Sequence, residues 1–197
     1  MSHFFDETNP FTLFSQWFNE ACACSDIKEP TAVSLATVAD NIPSNRMVLL
    51  KEHDERGFVF YTNLESRKST EIHHNPYAAL CFYWSALDKQ IRIVGQVKAV
   101  DNAQADAYFA SRSRGKQLGA WASKQSRIMH QQDDLQTRID ALEQQFGQQP
   151  IPRPPHWSGW RIIPQEMEFW HQKEFRLHER MKFVLHDQQW KKNILYP

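Results

Sequence analysis

Four cations gather around two short apolar runs. Arg46 and Lys51 bracket Met47–Leu50, while Arg67 and Lys68 follow Phe58–Tyr61. The runs flank a polar DERG stretch, the pattern of two strands joined by a hairpin turn in which Gly57 supplies a left-handed conformation. Ser66 stands where it can cap a helix that opens with Arg67 and Lys68 and runs to about His74. A helix start with free N–H groups, flanked by Arg and Lys, suits a phosphate. Taken singly, each charge reads as a surface charge on a hairpin. Four of them converging with Tyr61 and Thr62 favour an anionic ligand.

Two further stretches carry reactive side chains. In EFRLHERMKF, alternation with a period of two sets Arg176, His178 and Arg180 on one face of a strand, with Phe175, Leu177 and Met181 on the other. Such a face meets either bulk water or a polar pocket, and the neighbouring Phe169 and Trp170 favour a pocket with an aromatic wall. In AYFASRSRGKQLGAWASKQS, Tyr108 and Arg112 are four apart and share a helical face. Arg112, Arg114 and Lys116 form a basic patch, read either as a phosphate site or as a solvated helix end. Gln125 and Ser126 are generic hydrogen-bonding residues. The sequence has no glycine-rich dinucleotide fingerprint, Walker loop, His-Glu-x-x-His or nucleophile elbow. Any redox chemistry must therefore come from a cofactor that the protein binds and orients.

The elements that position these residues follow from periodicity. Phe14, Trp17, Phe18 and Ala21 recur at helical spacing, predicting an amphipathic helix from about Pro10 to Cys24. Thr31–Val38, the Arg46 strand, Phe58–Tyr61, Tyr77–Trp84 and Gln90–Val100 predict at least five serially paired strands, hence an antiparallel barrel. Residues 101–147 switch to helix, in segments around Ala103–Ser111 and Lys116–Ser123 and a third carrying the stripe Ile128, Leu135, Ile139, Leu142 and Phe146, with Gly147 as its stop. After a proline-rich connector, strands are expected near Trp157–Ile163, Glu166–Trp170, Phe175–Leu185 and Gln189–Leu195. The late strands cannot fold alone, so residues 1–197 read as one α+β domain, mainly β: a barrel with packed helices.

Bulk properties narrow the function classes. The 197 residues are 41% hydrophobic and 13% aromatic, and 23 Lys+Arg balance 23 Asp+Glu. Zero net charge leaves no broad field for nucleic acid or a membrane surface, so local basic clusters read as sites. Three cysteines, two of them in Cys22-x-Cys24, suit a reduced cytoplasmic protein and supply too few ligands for a metal. The start MSHFFDETNP has no signal-peptide pattern, and no apolar run reaches the length of a membrane span.

RMVLLK, FYTN, SRK, WASKQS, EFW and RLH, in this order, resemble the pyridoxine/pyridoxamine 5'-phosphate oxidase family over nearly the whole chain. The resemblance implies a split β-barrel homodimer with one FMN in each of two clefts between subunits. It also implies flavin-binding roles for Arg46, Met47, Val48, Leu49, Leu50, Lys51, Tyr61, Thr62, Arg67, Lys68, Gln90, Gln125, Ser126, Trp170 and Arg180. Lys51, Tyr108, Arg112, Arg176 and His178 match the substrate residues, with Arg176 and His178 beside the reacting carbon. Lys116 stands where the family commonly has a substrate-phosphate serine, and His171, Gln172 and Lys173 replace small residues after Trp170. The implied activity is oxidation of a phosphorylated B6 vitamer to pyridoxal 5'-phosphate, with oxygen as acceptor and hydrogen peroxide as product. The alternatives are a related flavin oxidase of the phenazine-pathway type and a non-catalytic flavin- or pyridoxal-phosphate-binding module.

Overall fold

The computed structural model describes residues 3–197. Helix α1 (Pro10–Ala23) begins where the sequence directs it. The Asn9 side chain accepts hydrogen bonds from the N–H groups of Phe11 and Thr12, and Pro10 occupies the first turn, where its missing N–H costs nothing. The aromatic stripe then points inward. Phe14 is fully buried, with ring centroids 4.7 Å from Phe58 and 5.4 Å from Phe82, and Trp17 meets Phe169 edge-on. These rings join the helix to the largest apolar core.

Strands β1 (Ala32–Ala39), β2 (Ile42–Leu49), β3 (Glu52–Asp54) and β4 (Gly57–Asn63) come next, then helix α2 (Arg67–His74), strands β5 (Tyr77–Trp84) and β6 (Lys89–Ala99), and helices α3 (Asn102–Ala110), α4 (Arg114–Ala122) and α5 (Asp134–Phe146). The chain ends in β7 (Trp157–His171), β8 (Glu179–His186) and β9 (Gln189–Leu195). All pairs are antiparallel in the order β2-β1-β5-β6-β7-β4-β3, and β8 and β9 extend from β7. The path ends at β2 and β3 without pairing them among the described residues, so the barrel is split rather than closed. In β6, Ile91, Ile93, Gly95 and Val97 face the core while Arg92 and Val94 face outward, as alternation requires.

Four expectations are corrected. The Met47–Leu50 run does not pair with Phe58–Tyr61: β2 pairs with β1, from Ala39↔Ile42 to Ala32↔Leu49. The hairpin is instead the short β3 with β4, turning at Glu55 and Arg56, where Gly57 has φ +127°. The two expected strands at residues 157–170 are one strand, β7. Its register against β6 shifts midway: Pro164 pairs with Gly95 and Glu166 with Val94, leaving Gln165 as the bulged residue, and a bulge is where a strand tolerates proline. Residues Phe175–His178 are not a strand. Glu174–Arg176 form a 3-10 turn with Phe175 and Arg176 at positive φ, and β8 starts only at Glu179. Arg176, His178 and Arg180 are therefore not one strand face. Finally, α5 begins at Asp134, which leaves Ile128 outside the helix and 84% exposed, while Leu142 and Phe146 pack against a satellite core around Phe109, Leu118, Ile151 and Trp157.

Candidate active site

One cavity, of about 540 Å³, opens between the end of β2, strand β4 and helices α3 and α4. Its lining includes Met47, Val48, Leu49, Lys51, Tyr61, Thr62, Lys68, Tyr108, Arg112, Lys116 and Gln125, with Ser111, Ser113 and Trp157. The lining holds four cations and no carboxylate, which is the composition of an anion site.

The floor is a polar cluster. Lys68, on the first turn of α2, is buried and donates to Thr62 Oγ1 (3.0 Å), Ser66 Oγ (3.0 Å) and Gln125 Oε1 (2.8 Å), all neutral. Burial, and then the charge of Arg46, hold its ammonium down to about 8. Ser66 is the residue before α2, but its hydroxyl donates to Asn63 O (2.7 Å) and does not cap the helix by its side chain.

The wall is aromatic. Tyr61 stacks on Tyr108 at 3.9 Å and 10°, and on Trp157 at 5.3 Å and 7°. Across the ladder from Tyr61 lies Gly159, where an added Cβ would come within 2.8 Å of the Tyr61 ring, so only glycine leaves the ring its place. The Arg112 guanidinium lies 4.7 Å from the Trp157 ring. Its NH1 is buried without a hydrogen-bond partner, and burial lowers its pKa. Arg112 also lines the cavity, where its guanidinium is a candidate partner for an oxyanion.

Other expected site residues lie elsewhere. Arg46 and Arg67 converge on Glu71 of α2, at 2.9 and 2.8 Å, and Thr37 and Ser44 donate to the same carboxylate at 2.5 Å. Burial raises the Glu71 pKa, but the bonds from Ser44, Thr37, Arg67 and Arg46 outweigh it and hold it down to about 2. Arg67 remains 64% exposed. Leu50 belongs to the main core, and Ser126, with φ 69°, lines a neighbouring groove.

Gln90, Trp170 and Arg180 sit abreast on β6, β7 and β8. Arg180 donates to Glu168 Oε1 at 2.8 and 3.0 Å and to the Tyr196 carbonyl, while Arg92 pairs with Glu168 Oε2. The His178 ring lies 4.7 Å from Trp170, and His178 Nδ1 accepts the Lys173 N–H at 3.3 Å. Arg176 is exposed, between Phe175 and Leu177, whose side chains are also exposed. Trp157 in the cavity and Trp170 in this second cluster stand near opposite ends of β7, roughly 40 Å of strand contour at ~3.3 Å per residue. The expected site residues thus fall into two separate clusters on this chain.

Trp157, Ser111 and Ser113 were not expected in the site. The two serines flank Arg112 in sequence, which was the available signal. Trp157 read only as a strand start, and its stacking on Tyr61 depends on the β4–β7 pairing.

A split barrel with a cationic, aromatic-walled cavity defines a phosphate-ligand-binding class of barrel proteins. Residues 20–146 match the family model described as pyridoxamine 5'-phosphate oxidase, and residues 157–197 match that of the pyridoxine 5'-phosphate oxidase C-terminal dimerisation region. The chain belongs to the pyridoxine/pyridoxamine 5'-phosphate oxidase family. It is 50% identical over 190 residues to the pyridoxine/pyridoxamine 5'-phosphate oxidase of Myxococcus xanthus (strain DK1622), covering 96% of this chain and 92% of that one. It is 49% identical to the Agrobacterium fabrum (strain C58) protein of the same name, over 100% and 96% of the two chains. Among solved structures, PhzG from Burkholderia lata 383, in complex with tetrahydrophenazine-1-carboxylic acid, superposes with a TM-score of 0.93 at 31% identity over 100% and 97% of the chains. No helix among the described residues is long and apolar enough to cross a membrane.

Proposed function

We propose that this chain is an FMN-dependent oxidase of pyridoxamine 5'-phosphate and pyridoxine 5'-phosphate, working as a cytoplasmic homodimer. The observation that carries the reading is the carboxylate-free cavity with Lys51, Lys68, Arg112 and Lys116 on its lining, together with the buried, unpaired Arg112 NH1. The names of relatives at about half identity over nearly the whole chain support the substrate class. FMN, when bound, supplies the two-electron acceptor that no side chain here provides.

The donor set fits a phosphorylated cofactor. Lys68, with only neutral partners, and the Thr62 hydroxyl and Gln125 amide beside it would hold the FMN phosphate, and the backbone from Arg46 to Lys51 would flank the ring. Arg46 and Arg67 would add charge from the edge of that site while keeping Glu71. Lys51, Tyr108, Arg112 and Lys116 would hold the vitamer's phosphate, a second anion in the same cavity. Gln90, Trp170 and Arg180 of a second copy would complete the flavin site, with Arg176 and His178 over the substrate. Arg176 keeps its charge at any working pH and can orient an electron-rich substrate group. His178, its Nδ1 accepting from Lys173, has Nε2 left to donate.

By this reading one pyridoxine 5'-phosphate and one oxygen give pyridoxal 5'-phosphate and hydrogen peroxide. From pyridoxamine 5'-phosphate, a water is also consumed and ammonia released. A phenazine-type substrate would bring a single carboxylate where Lys51, Tyr108, Arg112 and Lys116 could meet a dianionic phosphate, and the relatives at about half identity carry the B6 oxidase name, which together favour a B6 substrate. The test is to load the protein with FMN, supply pyridoxamine 5'-phosphate in air, and measure pyridoxal 5'-phosphate and oxygen together. Equimolar product and oxygen loss is expected. FMN-loaded protein that forms no pyridoxal 5'-phosphate from either vitamer would overturn the reading.

A further inference from the structure

We propose that Glu52 is the positioning residue for the phosphate end of the site: its carboxylate pins helix α3 to strand β4, and so fixes Tyr108 and Arg112 at the cavity. The inference rests on the functional reading above for the identity of the ligand, and on geometry for the role.

Glu52 lies on β3 and does not line the cavity. Its Oε1 accepts the Tyr61 hydroxyl at 2.6 Å, and its Oε2 accepts Gln104 Nε2 at 2.6 Å. Gln104 and Tyr108 are four apart on α3 and share a face. The Tyr108 ring returns to Tyr61 by stacking at 3.9 Å. Glu52, Tyr61, Tyr108 and Gln104 thus form a closed circuit joining strand to helix, with hydrogen bonds on one side and stacked rings on the other.

Helix α3 needs such a tie. Ala105 and Phe109 are its buried residues, so its apolar footing is narrow. Its first half is also held by Arg153, which pairs with Asp106 and donates to Asn102. Arg161, paired with Asp54, donates to Gln104 Oε1 at 3.3 Å and orients that amide toward Glu52. Past the last helical turn stands Arg112, over Trp157 in the same stack. A rotation of α3 about its axis would move Tyr108 off Tyr61 and Arg112 off the cavity. The Glu52 circuit opposes that rotation.

The alternative is that Glu52 matters only as a negative charge near four cations. The two ideas predict opposite signs. Removing a repelling carboxylate strengthens anion binding, whereas loosening α3 weakens it. FMN-loaded parent, Glu52→Ala and Glu52→Gln are compared for binding of pyridoxal 5'-phosphate and of unphosphorylated pyridoxal, and for steady-state oxidation of pyridoxamine 5'-phosphate. We expect Glu52→Ala to raise both the pyridoxal 5'-phosphate Kd and the KM about tenfold, with kcat within about twofold and pyridoxal binding unchanged. Glu52→Gln, which can still accept from Tyr61, should recover most of the loss. Gln104→Leu, which removes one bond of the circuit, should show a smaller loss of the same kind and serves if Glu52→Ala does not fold. Unchanged or tighter pyridoxal 5'-phosphate binding in these variants overturns the proposal, as does equal weakening toward both ligands. A parent that neither binds pyridoxal 5'-phosphate nor oxidises its substrate fails the functional reading itself, and the role assigned to Glu52 falls with it. An active parent with unaffected variants removes Glu52 alone.

Discussion

Lys68 is a cation folded into a place where only neutral oxygens meet it, and its behaviour with pH follows from that. Its folded pKa, about 8, lies below the ordinary 10.5 because burial and Arg46 disfavour the charge. The unfolded chain therefore binds more protons here between those values, and in the ligand-free protein this group adds stability as pH rises from about 8 toward 10.5. A bound phosphate favours the charged form. FMN affinity should thus be level between about pH 7 and 8, where the phosphate is already a dianion, and weaken above pH 8 by up to about tenfold per pH unit. Isothermal titration across pH 7–10 checks this, and Lys68→Met should flatten the curve; a parent curve that is already level would remove Lys68 from the phosphate site. Arg176 and His178 make a second test at this scale. Arg176→Ala and His178→Ala should keep the bound-flavin spectrum and lose at least about tenfold in efficiency, Arg176→Ala more severely. Stopped-flow flavin reduction without oxygen measures it, and parental rates in both variants would show that this turn does not serve the chemistry. The residue types were legible in the sequence, but their setting was not. Alternation cannot tell a strand from a turn that happens to alternate, and positive φ at Phe175 and Arg176 leaves no mark in residue type.

Several elements with their own periodicity were read to within a residue or two, while α5 starts six residues past Ile128 and β8 four past Phe175. The Tyr77–Trp84 and Gln189–Leu195 strands stand as expected, and α1 buries the stripe that defined it. Pairing was less legible, because it depends on contacts between distant parts of the chain. Nothing local says that β2 prefers β1 to β4, or that Glu52 reaches Gln104. The Arg46–Glu71–Arg67 cluster, read from sequence as ligand contacts alone, also ties α2 to β1 and β2 through Thr37 and Ser44. Because the Glu71 pKa is depressed to about 2, its contribution is full above the ordinary carboxylate value of about 4.5 and is lost as pH falls toward 2. Urea midpoints from pH 7 to 2 should fall more steeply for the parent than for Glu71→Gln over that window. Parallel curves would mean that the cluster does not tie α2 to the sheet energetically.

At the scale of the whole molecule, the cavity and the Trp170–Arg180 cluster lie near opposite ends of β7, and the proposed function needs both in one site. All of the second cluster except Gln90 falls in the segment that matches a dimerisation region, beside the exposed Phe175 and Leu177. On the proposed function, a two-fold dimer sets each cavity against the partner's Trp170–Arg180 cluster and makes two shared sites. The most direct test is a mixed dimer of Arg112→Ala and Arg176→Ala chains carrying different tags. Each variant alone should oxidise pyridoxamine 5'-phosphate poorly. A mixed dimer unites both lesions in one site and leaves the other site intact, so about half the parental activity should return. Mixed dimers as inactive as their two parents would mean that each site is built from a single chain, contradicting the shared-site account.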